Sequence, residues 1–152
     1  MPRADVVQVE DGEDDLGRGQ TEPLGDTGGP TQSGAFIETL RPGAAASKKH
    51  WHRHKDDMMH GLEGGVTPVE SDVVKVMNAG QTACFKAGAP VWRHLENCAG
   101  SPARHLVMCP RAGDDVATRA NTDDTASIQN GGKAYRDGAG DVTGRKSYHG
   151  VG

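Results

Sequence analysis

His50-Trp51-His52-Arg53-His54-Lys55-Asp56-Asp57 lies between the turn Arg41-Pro42-Gly43 and the turn Glu63-Gly64-Gly65. Side chains alternate across a strand with period two, so imidazoles at i and i+2 stand on one face, and His50 and His52 can share one ion. The polar turn from Arg53 to Asp56 leads into a second stretch opened by Asp57. Its carboxylate would complete a set of two histidines and one acid, a donor set suited to divalent iron, manganese or a similar metal. The alternative for the same residues is a solvated polar strand, because the histidines are interleaved with Arg53 and Lys55.

Working outward, short apolar stretches recur about every ten residues with turn formers between them. Ala35-Phe36-Ile37-Glu38-Thr39-Leu40 has strand composition and stops at Pro42-Gly43. The histidine strand follows, then Met58 to Leu62, then Glu63-Gly64-Gly65. Val66 to Glu70 and Val73 to Met77 form a hairpin around Ser71-Asp72, in which Pro68 lacks the N–H that a ladder requires and places its strand at an edge or a break. Thr82 to Phe85, Val91 to Glu96 and Ala103 to Cys109 are further strands. This spacing, too tight for crossover helices, predicts an antiparallel sandwich or barrel.

The flanks read differently. Residues 1–33 form an irregular, partly disordered N-terminal arm, because five acids among Glu10-Asp11-Gly12-Glu13-Asp14-Asp15 repel one another and leave little to bury. Residues 34–110 hold the barrel. Residues 111–152 are a polar, Gly-rich extension, loosely packed, with weak strands near Thr125 to Gln129 and Lys133 to Tyr135.

Composition bounds what such a fold does. At 152 residues with 34% hydrophobic residues, 4% aromatics and 22 Gly, the chain makes one domain with a thin core. A net charge of −4 without a basic stripe argues against nucleic-acid and membrane-surface partners. The chain has neither an apolar run of membrane-span length nor an N-terminal apolar signal core, so a cytoplasmic location is expected. Cys84, Cys98 and Cys109 lack C-x-x-C spacing and are expected as reduced core thiols.

Taken together, Pro42-Gly43, His50-Trp51-His52, Asp56-Asp57, Leu62-Glu63-Gly64, Gly80, Phe85-Lys86-Ala87-Gly88, Pro90 and His94-Leu95 through Asn97 resemble the two motifs of the cupin superfamily, in particular its small single-domain bacterial members. The likeness spans about residues 25–115. It implies an all-β fold, the cupin-type double-stranded β-helix or jelly-roll barrel, and a homodimer. It also implies a metal held inside the barrel by three histidines and a glutamate. His50 and His52 match the first two histidines, and Asp57 falls where the glutamate would be. Counting back four residues from Asn97 puts Arg93 at the third histidine. Arg stays protonated and cannot ligate. The adjacent His94 would need a bulge to turn inward. Gly61 and Pro68 stand where the family carries large apolar residues.

The metal set expected from this reading is His50, His52 and Asp57, with His94 as a further candidate. The ion would be Fe, Mn, Ni or Zn, bound weakly or not at all. Arg93, a fork for carboxylate or phosphate, and Trp92, a stacking platform, are the candidate ligand-binding residues. The ligand expected is a small molecule, carbohydrate-like or an organic acid. The second reading is a metal-free cupin that binds a small ligand or serves for dimerisation. No catalytic residue is assigned.

Overall fold

The computed structural model describes residues 10–11, 18–25, 29–120 and 122–147. Strands dominate it, in two antiparallel sheets. The first has six strands in the order β1 (Glu10–Asp11), β2 (Arg18–Glu22), β3 (Ser33–Leu40), β11 (Ala103–Pro110), β5 (Asp57–Glu63) and β9 (Thr82–Phe85). The second has nine. Its order is β15 (Val142–Ser147), β14 (Gly132–Arg136), β13 (Thr125–Gln129), β12 (Asp114–Arg119), β4 (His50–His52), β10 (Arg93–Glu96), β6 (Gly65–Glu70) and β7 (Val73–Val74), with β8 (Met77–Asn78) also on β6. The two sheets form a jelly-roll sandwich, the expected fold. Among the described residues, no helix is long and apolar enough to cross a membrane.

Period-two burial explains how the sheets close on each other. Along β11 every second residue, from Ala103 to Cys109, is buried. Leu40 and Ala103 of the first sheet meet Val66 and Leu95 of the second, with Ala44 and Met77 completing the core. Asn97 ties the loops below it: its Nδ2 donates to the carbonyls of Leu40 and Ser101, each at 2.9 Å, and its Oδ1 accepts from the Ala99 N–H. An amide that satisfies three backbone groups at once stabilises a buried loop that would otherwise leave them unpaired.

Two expected misfits have local reasons. Pro68 pairs with Leu95 of β10 on one side, and on its other side the ladder is interrupted between β7 and β8, so no strand asks for its missing N–H. Ser71, at φ 51°, makes the turn between β6 and β7. Gly61 faces the backbone of the 78–80 turn; a Cβ there would meet the Asn78 carbonyl oxygen at 2.6 Å. Where a large apolar residue was expected, the chain has moved inward instead, bonding Gly61 N–H to Gln81 O and Gly80 N–H to Gly61 O.

The flanks differ from the sequence reading. The arm supplies β1 and β2, and β2 pairs with β3; the rest of the expected disordered stretch lies outside the described residues, apart from 23–25 and 29–33. Residues 114–147 are not loosely packed. They form four strands, and β12 pairs directly with β4. Short side chains (Ala117, Ala126, Ala134) fill buried positions there, which is why the stretch read as loosely packed, although the strands expected near Thr125 to Gln129 and Lys133 to Tyr135 are β13 and β14. Of the cysteines, Cys109 is buried, but Cys84 and Cys98 are exposed, against the expectation of core thiols.

The close approach at Gly61 gives a stability test. Gly61→Ala has to push β5 off the 78–80 turn and should cost about 1–3 kcal/mol, measured as a lower midpoint in urea unfolding with unchanged slope.

Candidate metal centre

His50 and His52 stand on β4, between β12 and β10, and project into the barrel. Asp57 opens β5 in the opposite sheet, paired with Phe85. His52 and Asp57 are buried and His50 is half-buried. The potential ligand atoms of the three lie within 4.8 Å of one another.

Hydrogen bonds behind the rings fix their tautomers. His52 Nδ1 lies 2.6 Å from Asp115 Oδ2, and His50 Nδ1 lies 2.8 Å from the Lys48 carbonyl oxygen. Burial pushes the Asp115 carboxyl up, but hydrogen bonds from His52 and the His54 N–H outweigh it and hold the group at about 2, against an ordinary 3.8. An ionised carboxylate and a carbonyl can only accept, so both Nδ1 atoms donate and both neutral rings present a lone pair at Nε2. These two Nε2 atoms are 3.1 Å apart. Lone pairs at that distance repel unless a positive centre lies between them. A proton would serve only by charging a ring. Burial, and next the charge of His52, resist this at His50, lowering it from 6.5 to about 4. A metal ion meets the same need without that cost, and a carboxylate behind a ligating imidazole is the usual orienting device.

Arg93 complicates the set. It lies opposite His50 in the β10–β4 register and is buried in the barrel. Its Nη2 donates to Asp57 Oδ2 at 2.9 Å, while the same oxygen is 3.6 Å from His52 Nε2. The guanidinium lies 4.8 Å from the centre of the Phe85 ring. Two imidazoles and a carboxylate fit a divalent ion with open positions, but the carboxylate is shared with a fixed cation.

The structure thus brings His50, His52, Asp57 and Arg93 together, and it leaves His94 out. His94 has the opposite parity to Arg93 on β10, with no bulge in the β10–β6 register to turn it. Its Nε2 is 2.5 Å from Glu96 Oε1, on the outer side of the sheet. The candidacy of His94 as a ligand beside His50 and His52 is therefore corrected by strand alternation. Trp92 precedes β10, half-buried, and its carbonyl accepts the Ser71 N–H at 2.9 Å. Asp115 is the residue sequence reasoning missed. Asp115 lies two residues from Ala117 on β12, and Ala117 pairs with His52, a register that exists only in the fold.

A family model described as cupin domain matches residues 36–109. Among solved structures, the chain is similar to a sugar phosphate isomerase of the cupin superfamily from Silicibacter pomeroyi, with 27% identity over 92% of this chain and 94% of that one, at a TM-score of 0.82. A protein from Acidithiobacillus ferrooxidans whose name proposes the same activity shares 22% identity over 85% of this chain and 81% of that one, at a TM-score of 0.74. The polyketide cyclase RemF of Streptomyces resistomycificus shares the fold at 18% identity, over 68% of this chain and 73% of that one, with a TM-score of 0.57. No curated protein matches this chain by sequence.

The two lowered groups make the fold acid-sensitive in a defined order. In each case the unfolded chain takes the proton first, so stability falls with falling pH. The His50 contribution goes between 6.5 and about 4, and the Asp115 contribution, about 2 kcal/mol, goes between 3.8 and about 2. Unfolding followed against pH should show both losses, and Asp115→Asn should remove the second.

Proposed function

The chain belongs to the cupin superfamily, and on that premise we propose that it holds a divalent metal through His50, His52 and Asp57 and acts on a phosphorylated sugar in the barrel, as a sugar phosphate isomerase. The observation that carries the metal is the pair of facing Nε2 atoms at 3.1 Å, both acceptors while the rings are neutral because each Nδ1 donates to its own partner. The substrate class rests on similarity to the Silicibacter pomeroyi enzyme over almost the full length of both chains.

A bound metal would supply Lewis acidity toward a sugar carbonyl or hydroxyl. The chain's own residues prepare the site for that. Asp115 holds the His52 ring in one tautomer, and Lys48 O does the same for His50. Arg93 fixes Asp57 Oδ2 and places a cation beside the point where an oxyanion develops as a sugar carbonyl enolises. Phe85 stacks under that guanidinium and limits its movement.

A second reading has its own support. Arg93 Nε is buried and makes no hydrogen bond. A donor left that way costs about 1–3 kcal/mol unless a ligand accepts from it. A metal-free cupin that binds a small anion at Arg93 would use that group.

Titration calorimetry with iron, manganese, nickel and zinc separates the two. The metal reading expects weak binding by the wild-type protein, lost in His52→Ala. It also expects Arg93→His to bind more tightly by about tenfold or more, since it replaces a cation with a neutral donor. Equal affinity in wild type and His52→Ala would leave the metal-free reading.

A further inference from the structure

Each sheet ends on one side of an open cleft. β7 closes the nine-stranded sheet and β9 the six-stranded one, and the cleft between them measures about 310 Å³. That volume is at the lower end of what takes a small organic ligand. Its inner wall is apolar, with Met77 and Phe85 buried and Pro68 and Ala83 half-buried. Val73 and Val76 carry the wall outward, 65% and 52% exposed. With Val74 they put three large apolar side chains into water within four positions, and such a patch marks a place where an apolar body binds. Glu70, Lys75, Gln81 and Thr82 line the exposed part, and two of them are already engaged: Gln81 Oε1 accepts from the Asn78 N–H, and Thr82 Oγ1 bonds His60 Nδ1. A sugar ring laid against Met77 and Phe85 would leave its hydroxyls without partners.

Arg93 adjoins this cleft. It is opposed to Glu70 in the β10–β6 register, and its guanidinium lies 4.8 Å from the centre of the Phe85 ring; both of those residues line the cleft. Arg93 is 3% exposed. Its Nη2 donates to Asp57 Oδ2, but Nε is buried and makes no hydrogen bond. A guanidinium N–H in that position is stabilised by an oxyanion that accepts from it. Glu70 is the acid on the cleft, exposed and accompanied by the exposed Lys75, so an entering anion meets both signs of charge there.

We propose that the cleft binds the apolar body of a small carboxylic acid, aliphatic or aromatic, whose carboxylate accepts from Arg93 Nε. This ligand class goes beyond the isomerase reading, since a phosphorylated sugar has no apolar body for Pro68, Val73, Val76 and Met77 to cover. Its charged end rests on the anion-binding reading of Arg93 above. Neither end uses the metal.

The test is titration calorimetry of the full chain with phenylacetate, acetate, phenylacetamide and a hexose 6-phosphate. Phenylacetate should bind at least about tenfold more tightly than acetate, because its ring leaves water, and at least about tenfold more tightly than the uncharged phenylacetamide. Val73→Ser and Val76→Ser change exposed positions, so the fold should hold, as thermal unfolding checks. Each should weaken phenylacetate about threefold and leave acetate unchanged. Arg93→Gln should bring phenylacetate down to the affinity of phenylacetamide. Equal affinity for phenylacetate and acetate, or unchanged phenylacetate binding in the Val73→Ser, Val76→Ser double variant, overturns the assignment. So does loss of hexose 6-phosphate binding in that double variant, which would put the sugar in the cleft. Metal titration separates this proposal from the metal centre: the double variant should keep wild-type metal affinity, and His52→Ala should keep phenylacetate affinity. Absence of metal and hexose phosphate binding in the wild type overturns the isomerase reading and leaves the cleft standing.

Discussion

One carboxylate holds the centre together. Asp115 accepts from the His52 ring through Oδ2 and from the His54 N–H through Oδ1, so it ties β12 to β4 and to the chain leaving β4. An acid this deeply buried carries a desolvation penalty, which charge-assisted and main-chain hydrogen bonds offset. The arrangement stays rigid for that reason. If the carboxylate were neutral, His52 would be free to take the other tautomer, and the opposed lone pairs that define the site would be gone. Asp115 also lies beyond residues 36–109, the segment that matches the cupin family. The orientation of His52 in this chain therefore depends on a strand, β12, that lies beyond the matched segment.

Charge in the barrel is balanced before any ligand arrives. Asp57 and Arg93 form an ion pair, 2.9 Å apart, beside His50, whose ring burial holds back from charging. Breaking a buried pair by removing one partner is costly, commonly about 3–5 kcal/mol. Arg93 thus explains why a cupin can lack the third histidine and still keep its acid in place. The same pairing weakens Asp57 as a metal ligand, because its negative potential is already spent on the guanidinium.

How much of this the sequence carried depended on the type of signal. Period two made β3, β5, β9 and β11 legible, and the turn residues bounded them closely. The His50, His52, Asp57 group was legible too, because the ligands sit close together in sequence on consecutive strands. Motif spacing put Arg93 at the position of the third histidine without showing that its side chain would be buried, and alternation already told against His94. Long-range partners were not legible. Asp115 is 63 residues from His52, and nothing local distinguishes it from the exposed Asp114 beside it. The strand at 114–119 escaped because its buried positions are Asp115 and Ala117, and the strand at 142–147 because none of its residues is buried, so neither carries a run of large apolar residues. Gly61 and Pro68 read as losses of stability because their partners, a close carbonyl and a gap in the ladder, exist only in three dimensions.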